Sequence, residues 1–282
     1  MGKYALVTGG ATGIGFGCAQ SLLQDGFTTT ICGRRADKLE QAATDLAASA
    51  ADGAEVRTFV CDVSDEDQVA AAVAAAAGPD GELGAAVANA GVGAGGAIMT
   101  LTADDFRNLF ETNVYGAFHT IKHAALAMRD HGGGAIVAIS SISAVLSGRF
   151  RSPYAASKAA LEAIVRVSAD ELGPFGIRVN ALRPGGVRSE VMAAITDPNA
   201  TGIMKEMQEE YLRNMPIRRL GEPEDVGAMV AFLCSDKASW VTGQCFGVDG
   251  GHTLRRGPNQ EVAFRARLGD EAVDRLIGPS WS

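Results

Sequence analysis

The first apolar run of the chain leads into the stretch TGGATGIG, residues 8–15, and a helical pattern follows directly. Glycine adopts positive φ and lets another backbone or a ligand approach closely, so this stretch predicts a tight turn between a strand and a helix. The start of that helix offers unpaired N–H groups and a partial positive charge, which favour a pyrophosphate. The spacing is Gly-x-x-x-Gly-x-Gly, not the better-known Gly-x-Gly-x-x-Gly, so the turn alone is weak support for a dinucleotide site.

Beyond this turn, short apolar or β-branched runs alternate with longer helical patterns. Strands are predicted at residues 4–8, 28–32, 55–61, 84–88, 135–140, 177–182 and 245–248, and helices at residues 14–25, 36–50, 66–77, 102–129, 154–172 and 223–234. Seven strands separated by helices are typical of an α/β fold with one doubly wound parallel sheet that carries helices on both faces. No Pro/Ser-rich linker interrupts the pattern. A single domain over residues 1–251 is therefore predicted.

Two segments do not fit this alternation. Residues 185–215 are rich in Met, Ala and charge and lie between a strand and the next helix. Ligands bind beyond the carboxyl ends of strands in such sheets, so we expect a substrate lid at about 187–215; an inert surface excursion is the alternative. Residues 252–282 form a C-terminal extension with a helix predicted over 261–277. It either reaches a neighbouring subunit or lies on the surface, and the sequence does not distinguish these.

Composition excludes several classes of protein. The formal net charge is −8 over 282 residues, with both signs interspersed, which argues against a nucleic-acid partner because phosphate contacts need concentrated Lys and Arg. The five cysteines never occur as Cys-x-x-Cys, so neither a disulfide framework nor a zinc site is indicated. No signal peptide and no apolar run of membrane-spanning length is evident. We therefore expect a cytoplasmic protein with no membrane and no metal.

The end of the second strand bears on the choice of dinucleotide. There Arg34 and Arg35 follow Gly33, where an Asp or Glu would favour NAD by binding ribose hydroxyls. A guanidinium suits a 2′-phosphate, so NADP(H) is preferred and NAD(H) is the alternative. The other interpretation is that both arginines are solvated residues at a helix start. After the third strand, Asp62 is expected to accept a hydrogen bond from the adenine amino group or to cap the next helix.

Tyr154 and Lys158 stand four residues apart in a predicted helix, which places both side chains on one face. An ammonium beside a phenol favours the phenolate and lowers its pKa from about 10. Such a phenol exchanges a proton with an alcohol or a ketone near neutral pH. Ser141, thirteen positions before Tyr154 and flanked by Ser140 and Ser143, supplies a hydroxyl for the same oxygen. Ser141, Tyr154 and Lys158 together predict an enzyme that interconverts a carbonyl group and an alcohol by redox chemistry.

Several short motifs follow one another in a recognisable order. They are TGGATGIG at 8–15, Cys61-Asp62-Val63, Asn89-Ala90-Gly91, Asn113 in Asn-Val-Tyr-Gly, Ser141, Tyr154 with Lys158, and Pro184-Gly185. Together they resemble the short-chain dehydrogenase/reductase family over residues 3 to about 251, and the 3-oxoacyl-carrier-protein reductase type is the most similar subgroup. Two positions depart from the family pattern: Ala88 precedes Asn89 where Asn is commoner, and Ser189 replaces the usual Thr.

The resemblance implies a Rossmann-type oxidoreductase that transfers a hydride between NADP(H) and a ketone or secondary alcohol. Tyr154 would be the general acid/base, Ser141 would hold the substrate oxygen, and Lys158 would bind the nicotinamide ribose. Asn113 would lie at a break in its long helix and anchor a water linking Lys158 to solvent; a mid-helix polar residue facing water is the alternative. The cofactor contacts expected altogether are Gly9, Thr12, Gly13, Ile14, Gly15, Arg34, Arg35, Asp62, Val63, Asn89, Ala90, Gly91, Tyr154, Lys158, Pro184, Gly185, Val187 and Ser189, the last two fixing the carboxamide.

The substrate pocket is expected between residues 143–151, residues 91–96 and the lid. Apolar side chains assigned to its walls are Ala144, Val145, Leu146, Met192, Met204, Met207 and Met215, with methionine giving adaptable contacts. They predict an apolar ketone or secondary alcohol. Arg149 and Arg151 stand just before Tyr154, where an acidic substrate is conceivable, but we expect a surface or subunit-contact role for them.

Two other functions fit parts of this pattern. A catalytically silent dinucleotide sensor or scaffold would use the same fold, because function resides in the site and not in the fold. It has no evident need for all of Asn113, Ser141, Tyr154 and Lys158. An epimerase or dehydratase would need a larger C-terminal region for a sugar nucleotide. The family resemblance also implies a homotetramer or homodimer, formed through the Ala-rich helices at 102–129 and 154–172.

Overall fold

Seven strands form one parallel sheet in the computed structural model, which describes residues 3–146, 148–189, 201–254 and 261–277. They are β1 (Tyr4–Thr8), β2 (Thr28–Gly33), β3 (Val56–Val60), β4 (Ala85–Ala88), β5 (Gly134–Ile139), β6 (Ile177–Pro184) and β7 (Cys245–Val248). Their order across the sheet is β3-β2-β1-β4-β5-β6-β7. The order reverses between β1 and β4, and this switch point is where such sheets bind ligands.

Helices connect the strands and cover both faces of the sheet. They are α1 (Gly13–Gln24), α2 (Ala36–Ala47), α3 (Glu66–Ala76), α4 (Ala103–Phe110), α5 (Gly116–Arg129), α6 (Ser152–Leu172), α7 (Gly202–Asn214), α8 (Pro223–Cys234), α9 (Glu261–Leu268) and α10 (Asp270–Ile277). A π-helical turn, Glu111–Tyr115, lies between α4 and α5. The lid segment contains α7, and its residues 190–200 lie outside the described residues.

The predicted fold class and all seven strands are confirmed, with strand ends within two residues of the prediction. The helix predicted at 102–129 is interrupted by the π turn, at the break that the resemblance implies for Asn113. The prediction of one helix at 261–277 was wrong, because this segment forms two helices. Gly269, at φ +85°, separates the latter, because a left-handed residue ends a helix. The helix predicted at 36–50 ends at Ala47.

The core forms two layers, one on each face of the sheet. Successive side chains of a strand point to opposite faces, so Leu6 packs with α3, α5 and α6, whereas Ala5 and Val7 pack with α1, α2 and α8. These residues are fully buried. The strands of the sheet therefore have apolar side chains on both faces, which explains their short continuous apolar runs.

Helices α1 and α8 touch each other through glycines. A Cβ added at Gly17 would lie 2.4 Å from the carbonyl carbon of Pro223, and one added at Gly227 would lie 2.3 Å from the carbonyl oxygen of Gly17. No side chain fits at either position without moving a backbone. This contact fixes α1, and with it the glycine turn that opens α1.

We predict that Gly17→Ala lowers the free energy of unfolding by about 1–3 kcal/mol, because the added methyl group overpacks the contact between α1 and α8. Urea unfolding followed by circular dichroism measures the change. Gly173→Ala is the matched control, since an added Cβ there meets nothing within 4 Å. Equal stabilities of the two variants would contradict the prediction.

Candidate active site

A cleft of about 710 Å³ runs along the carboxyl ends of the strands. It extends from the glycine turn after β1 past the ends of β2 and β3 on one side and of β4, β5 and β6 on the other. All eighteen residues predicted to contact a dinucleotide line it: Gly9, Thr12, Gly13, Ile14, Gly15, Arg34, Arg35, Asp62, Val63, Asn89, Ala90, Gly91, Tyr154, Lys158, Pro184, Gly185, Val187 and Ser189.

The glycine turn is held from the neighbouring strand. Asn89, just after β4, donates its side-chain amide to the carbonyl oxygens of Thr8 and Gly9 at 2.9 and 3.1 Å. The hydroxyl of Thr8 accepts the backbone N–H groups of Asn89 and Ala90 at 3.0 and 3.1 Å. A Cβ at Gly15 would lie 2.2 Å from the carbonyl oxygen of Gly9, so the turn closes only with glycine there. The Asn89 side chain thus shapes the turn.

The start of α1 fits a dinucleotide pyrophosphate. Thr12 occupies the N-cap in an extended conformation and makes no side-chain cap bond, and the first turn of the helix contains no acidic residue. The first N–H groups of α1 therefore lack a side-chain acceptor at the cap. A Cβ at Gly13 would lie 3.0 Å from the Cβ of Ser189, so glycine keeps this side of the cleft open.

Arg34, Arg35 and Asp62 meet at the other end of the cleft. The guanidinium of Arg34 is 3.9 Å from the Asp62 carboxylate, and the Arg34 side chain is 68% exposed. Asp62 accepts hydrogen bonds from the backbone N–H and the hydroxyl of Ser64 at 3.1 and 2.8 Å. The alternative for Asp62, a cap on the next helix, is excluded because Asp65 is the N-cap of α3; the hydrogen bond to adenine stays a prediction.

Tyr154 and Lys158 lie one turn apart at the start of α6. Lys158 is only 4% exposed, its Nζ donates to the carbonyl oxygen of Ile139 at 2.8 Å, and it lies 5.8 Å from the centre of the Tyr154 ring. Burial lowers the pKa of the Lys158 ammonium, and the charge of an ionised Tyr154 opposes this shift. A cation and a phenol therefore share one wall of the cleft, as the four-residue spacing predicts.

The two neighbouring serines after β5 have different partners. The hydroxyl of Ser141 accepts the backbone N–H of Ser143 at 3.1 Å and lines the cleft. The hydroxyl of Ser140 instead donates to the Glu162 carboxylate at 2.9 Å, which also receives two hydrogen bonds from Arg183. The buried network occupies Ser140, so the geometry favours Ser141 as the serine that acts with Tyr154.

Asn113 lies within the π turn, so the helix break that the resemblance implies is confirmed. Its side-chain oxygen accepts the Val92 N–H at 2.8 Å, and its amide nitrogen donates to the Val92 carbonyl and the Ser157 hydroxyl at 3.0 and 3.1 Å. Asn113 is 1% exposed, which excludes a water-facing residue. Its side chain connects the loop after β4 to α6, and the water that it would anchor stays a prediction.

The substrate end of the cleft differs from the predicted one. Ser143 and Arg151 line it, but Ala144, Val145, Leu146, Met204, Met207 and Met215 do not, and Met192 lies outside the described residues. Met215 instead packs with Leu212 and Leu220 in a separate apolar cluster. The missing wall comes from Phe264 and Arg267 of the C-terminal extension.

The extension thus lies against the cleft of its own chain, an arrangement that neither sequence-based alternative described. The signal in the sequence was the apolar spacing of Phe264, Val273 and Ile277, which shows that a face is buried but not what covers it.

Of the two arginines before Tyr154, Arg151 lines the cleft and Arg149 does not, so the predicted surface role was wrong for Arg151. A subunit-contact role for either arginine stays a prediction. Arg149 forms an ion pair with Glu261 of α9. The guanidinium of Arg151 lies over the Tyr154 ring, 4.6 Å from its centre, and faces the cleft. The charge pattern in the sequence alone did not indicate which of the two enters the site.

The described part of the chain contains no cluster of three or more His, Cys, Asp or Glu side chains that would hold a metal ion. None of its helices combines the length and the apolar character that a membrane span requires.

The chain matches known proteins over most of its length. A family model described as enoyl-(acyl carrier protein) reductase matches residues 9–253. A 3-oxoacyl-[acyl-carrier-protein] reductase of Staphylococcus aureus is 32% identical over 251 residues, 89% of this chain and 98% of the relative.

Two solved structures also match. A short-chain type dehydrogenase/reductase from Mycobacterium ulcerans is 39% identical, with a TM-score of 0.90 and coverage of 97% of this chain and 98% of that one. A 7α-hydroxysteroid dehydrogenase complexed with NADH and 7-oxo glycochenodeoxycholic acid is 32% identical, with a TM-score of 0.80 and coverage of 88% and 92%.

Proposed function

The chain belongs to the short-chain dehydrogenase/reductase family of oxidoreductases, and we propose that it transfers a hydride between NADP(H) and a ketone or secondary alcohol, with Tyr154 as general acid/base. The observation that carries the proposal is the placement of Ser141, Tyr154 and the buried Lys158 in the same cleft as the glycine turn. The named relatives act on 3-oxoacyl groups or are complexed with a 7-oxo compound, and both present a ketone.

The dinucleotide would be held by the glycine turn and start of α1, by Asn89 to Gly91, and by the segment from Pro184 to Ser189. When bound, it supplies or accepts the hydride. Lys158 lines the cleft and would bind the nicotinamide ribose, because its ammonium has only the Ile139 carbonyl as a hydrogen-bond acceptor among the described residues. Donor capacity is therefore left for ribose hydroxyls.

The chain's own residues then handle the proton. In reduction, the Tyr154 hydroxyl gives its proton to the carbonyl oxygen; in oxidation, the phenolate takes the proton of the alcohol. The Lys158 ammonium lies 5.8 Å from the centre of the Tyr154 ring, beside the group that exchanges the proton. Ser141 uses its oxygen to accept the Ser143 N–H, so its hydrogen remains to donate to the substrate oxygen. Both hydroxyls line the cleft and would bind the reacting oxygen.

A catalytically silent sensor remains the alternative that must be tested. It would need the dinucleotide cleft but neither the buried ammonium nor the serine. Burial of the Lys158 ammonium without a carboxylate partner costs free energy. Its position beside Tyr154 therefore favours an enzyme over a silent sensor.

We predict that Tyr154→Phe lowers kcat for ketone reduction by about 10²–10⁴-fold, because the general acid is lost. The Kd for the dinucleotide should stay within about threefold, because the ring remains. Absorbance of the reduced nicotinamide over a panel of ketones and alcohols measures turnover, and fluorescence titration measures binding. Tyr115→Phe, at a half-exposed tyrosine, is the control. Undiminished turnover in Tyr154→Phe would refute the role of Tyr154, and a wild type that binds but turns over nothing in the panel would favour the sensor.

The NADP(H) preference rests on Arg34 and Arg35, which both line the adenosine end of the cleft. Asp62 lies there too, yet it is engaged by Ser64 and Arg34, and no acidic residue stands directly after β2. An exposed guanidinium reorients easily toward a phosphate and binds it through two N–H groups. One relative is complexed with NADH, so the preference is a property of this chain's arginines and not of its family.

We predict that the double variant Arg34→Ala, Arg35→Ala raises the KM for NADPH at least about tenfold, because charge-assisted hydrogen bonds to the 2′-phosphate are lost. The KM for NADH should change less than about threefold. Initial rates with each cofactor at a fixed ketone concentration give both values. Lys38→Ala is the control, an exposed cation on α2 outside the cleft. Equal effects on both cofactors would show that the arginines do not recognise the phosphate.

The assembly that we propose is a homotetramer or homodimer through the helices of the predicted interface. Tyr115, Phe118 and Leu126 are 41–50% exposed along the π turn and α5, and Val167 is 58% exposed on α6. Apolar side chains of this size on long helices are typical of covered faces. Size-exclusion chromatography with light scattering tests the assembly, and a monomer would contradict it.

A further inference from the structure

The C-terminal extension is fixed firmly against the substrate end of the cleft. Phe264 of α9 stacks on Phe150, with ring centres 3.9 Å apart and planes 12° from parallel. Val273, Leu276 and Ile277 of α10 join the same apolar cluster, which includes Ala97 from the loop after β4. The extension therefore closes the side of the cleft that is left open by the segments at residues 91–96 and 143–151.

Ion pairs hold the two helices of the extension together and to the domain. Arg265 binds Glu261 at 2.8 Å and Asp274 at 2.8 Å, which joins α9 to α10. Glu261 also pairs with Arg149, which joins α9 to the segment before Tyr154. Phe150 has a φ of +66°, unusual for a bulky side chain, and its buried ring stacks on Phe264 in the cluster that includes Ala97. The substrate wall is consequently a packed structure with defined side-chain positions.

Two cations face the cleft from this wall. The Arg151 guanidinium lies 4.6 Å from the centre of the Tyr154 ring, and the Arg267 guanidinium lies 5.4 Å from the centre of the Phe264 ring. Among the described residues, neither arginine forms an ion pair with a carboxylate. Asp62 is the one acidic residue in the described lining, and it lies with Arg34 at the adenosine end. The substrate end thus carries positive charge without a compensating anion.

We infer that Arg151 and Arg267 bind an oxyanion of the substrate, a carboxylate or a phosphate, while Phe264 contacts its apolar body. This inference rests on the proposed reductase function and narrows its substrate to an anionic ketone or alcohol. Arg151 lies over the ring of the residue that exchanges the proton, so an acidic group close in the substrate to the carbonyl reaches its guanidinium. Arginine binds such groups through two parallel N–H donors, which fixes orientation as well as charge. The substrate expected from the sequence was an apolar ketone or secondary alcohol, and this inference adds an acidic group to it.

The test compares oxo acids with their neutral esters in the full-length enzyme. A homologous series beginning with 4-oxopentanoate, each member paired with its methyl ester, is reduced with saturating NADPH, and kcat/KM is measured for both members of each pair. For at least one pair, the wild type should prefer the acid at least about tenfold. Arg267→Gln and Arg151→Gln should each lower the ratio of acid to ester at least about fivefold. The ester rate separately reports damage to the placement of Tyr154.

Arg275→Gln is the matched control, because it removes a 76% exposed cation from α10, outside the cleft, and should leave the ratio unchanged. A phosphorylated ketone, dihydroxyacetone phosphate against dihydroxyacetone, distinguishes phosphate from carboxylate as the preferred anion. Equal kcat/KM for charged and neutral members of every pair would overturn the inference while leaving the reductase function intact. Persistence of the preference in the double variant Arg151→Gln, Arg267→Gln would also overturn it. If the enzyme turned over no ketone in the series, the result would count against the proposed reductase function and not against the anion site alone.

Discussion

A buried ammonium beside a phenol is the constraint on which the rest of this structure depends. Lys158 is almost wholly removed from water, and burial of its positive charge costs free energy. Several contacts keep it in place through α6. Asn113 reaches Ser157, the residue before Lys158, and Glu162 one turn later is held by Ser140 and Arg183. The helix is therefore fixed on both sides of the pair.

The two ends of the cleft depend on different parts of the chain. The dinucleotide end is built from the glycine turn and from residues at the carboxyl ends of β2, β3, β4 and β6, which belong to the domain that the family model matches. The substrate end is completed by α9 and α10, which lie beyond residue 253, where the match to the family model ends. The substrate wall thus lies beyond the residues that the family model matches, and it brings a guanidinium and an aromatic ring to the cleft.

Local patterns in the sequence predicted most of the fold. The continuous apolar runs gave all seven strands, and glycine spacing gave the turn before α1. The four-residue spacing of Tyr154 and Lys158 gave their shared wall, because helix geometry alone brings such residues together. The break at Asn113 followed from the family resemblance and not from the apolar pattern, and its form as a π turn was not predicted. The docking of the extension was missed because it depends on contacts such as Phe150 with Phe264, which no local pattern contains.

The most direct test of this account is alcohol oxidation by the wild type and Lys158→Met, measured as kcat with saturating dinucleotide. We predict that kcat falls at least about tenfold in Lys158→Met, because the cation beside the phenol that exchanges the proton is lost. Equal kcat in both proteins would show that the buried ammonium does not assist proton transfer at Tyr154, and would contradict the account.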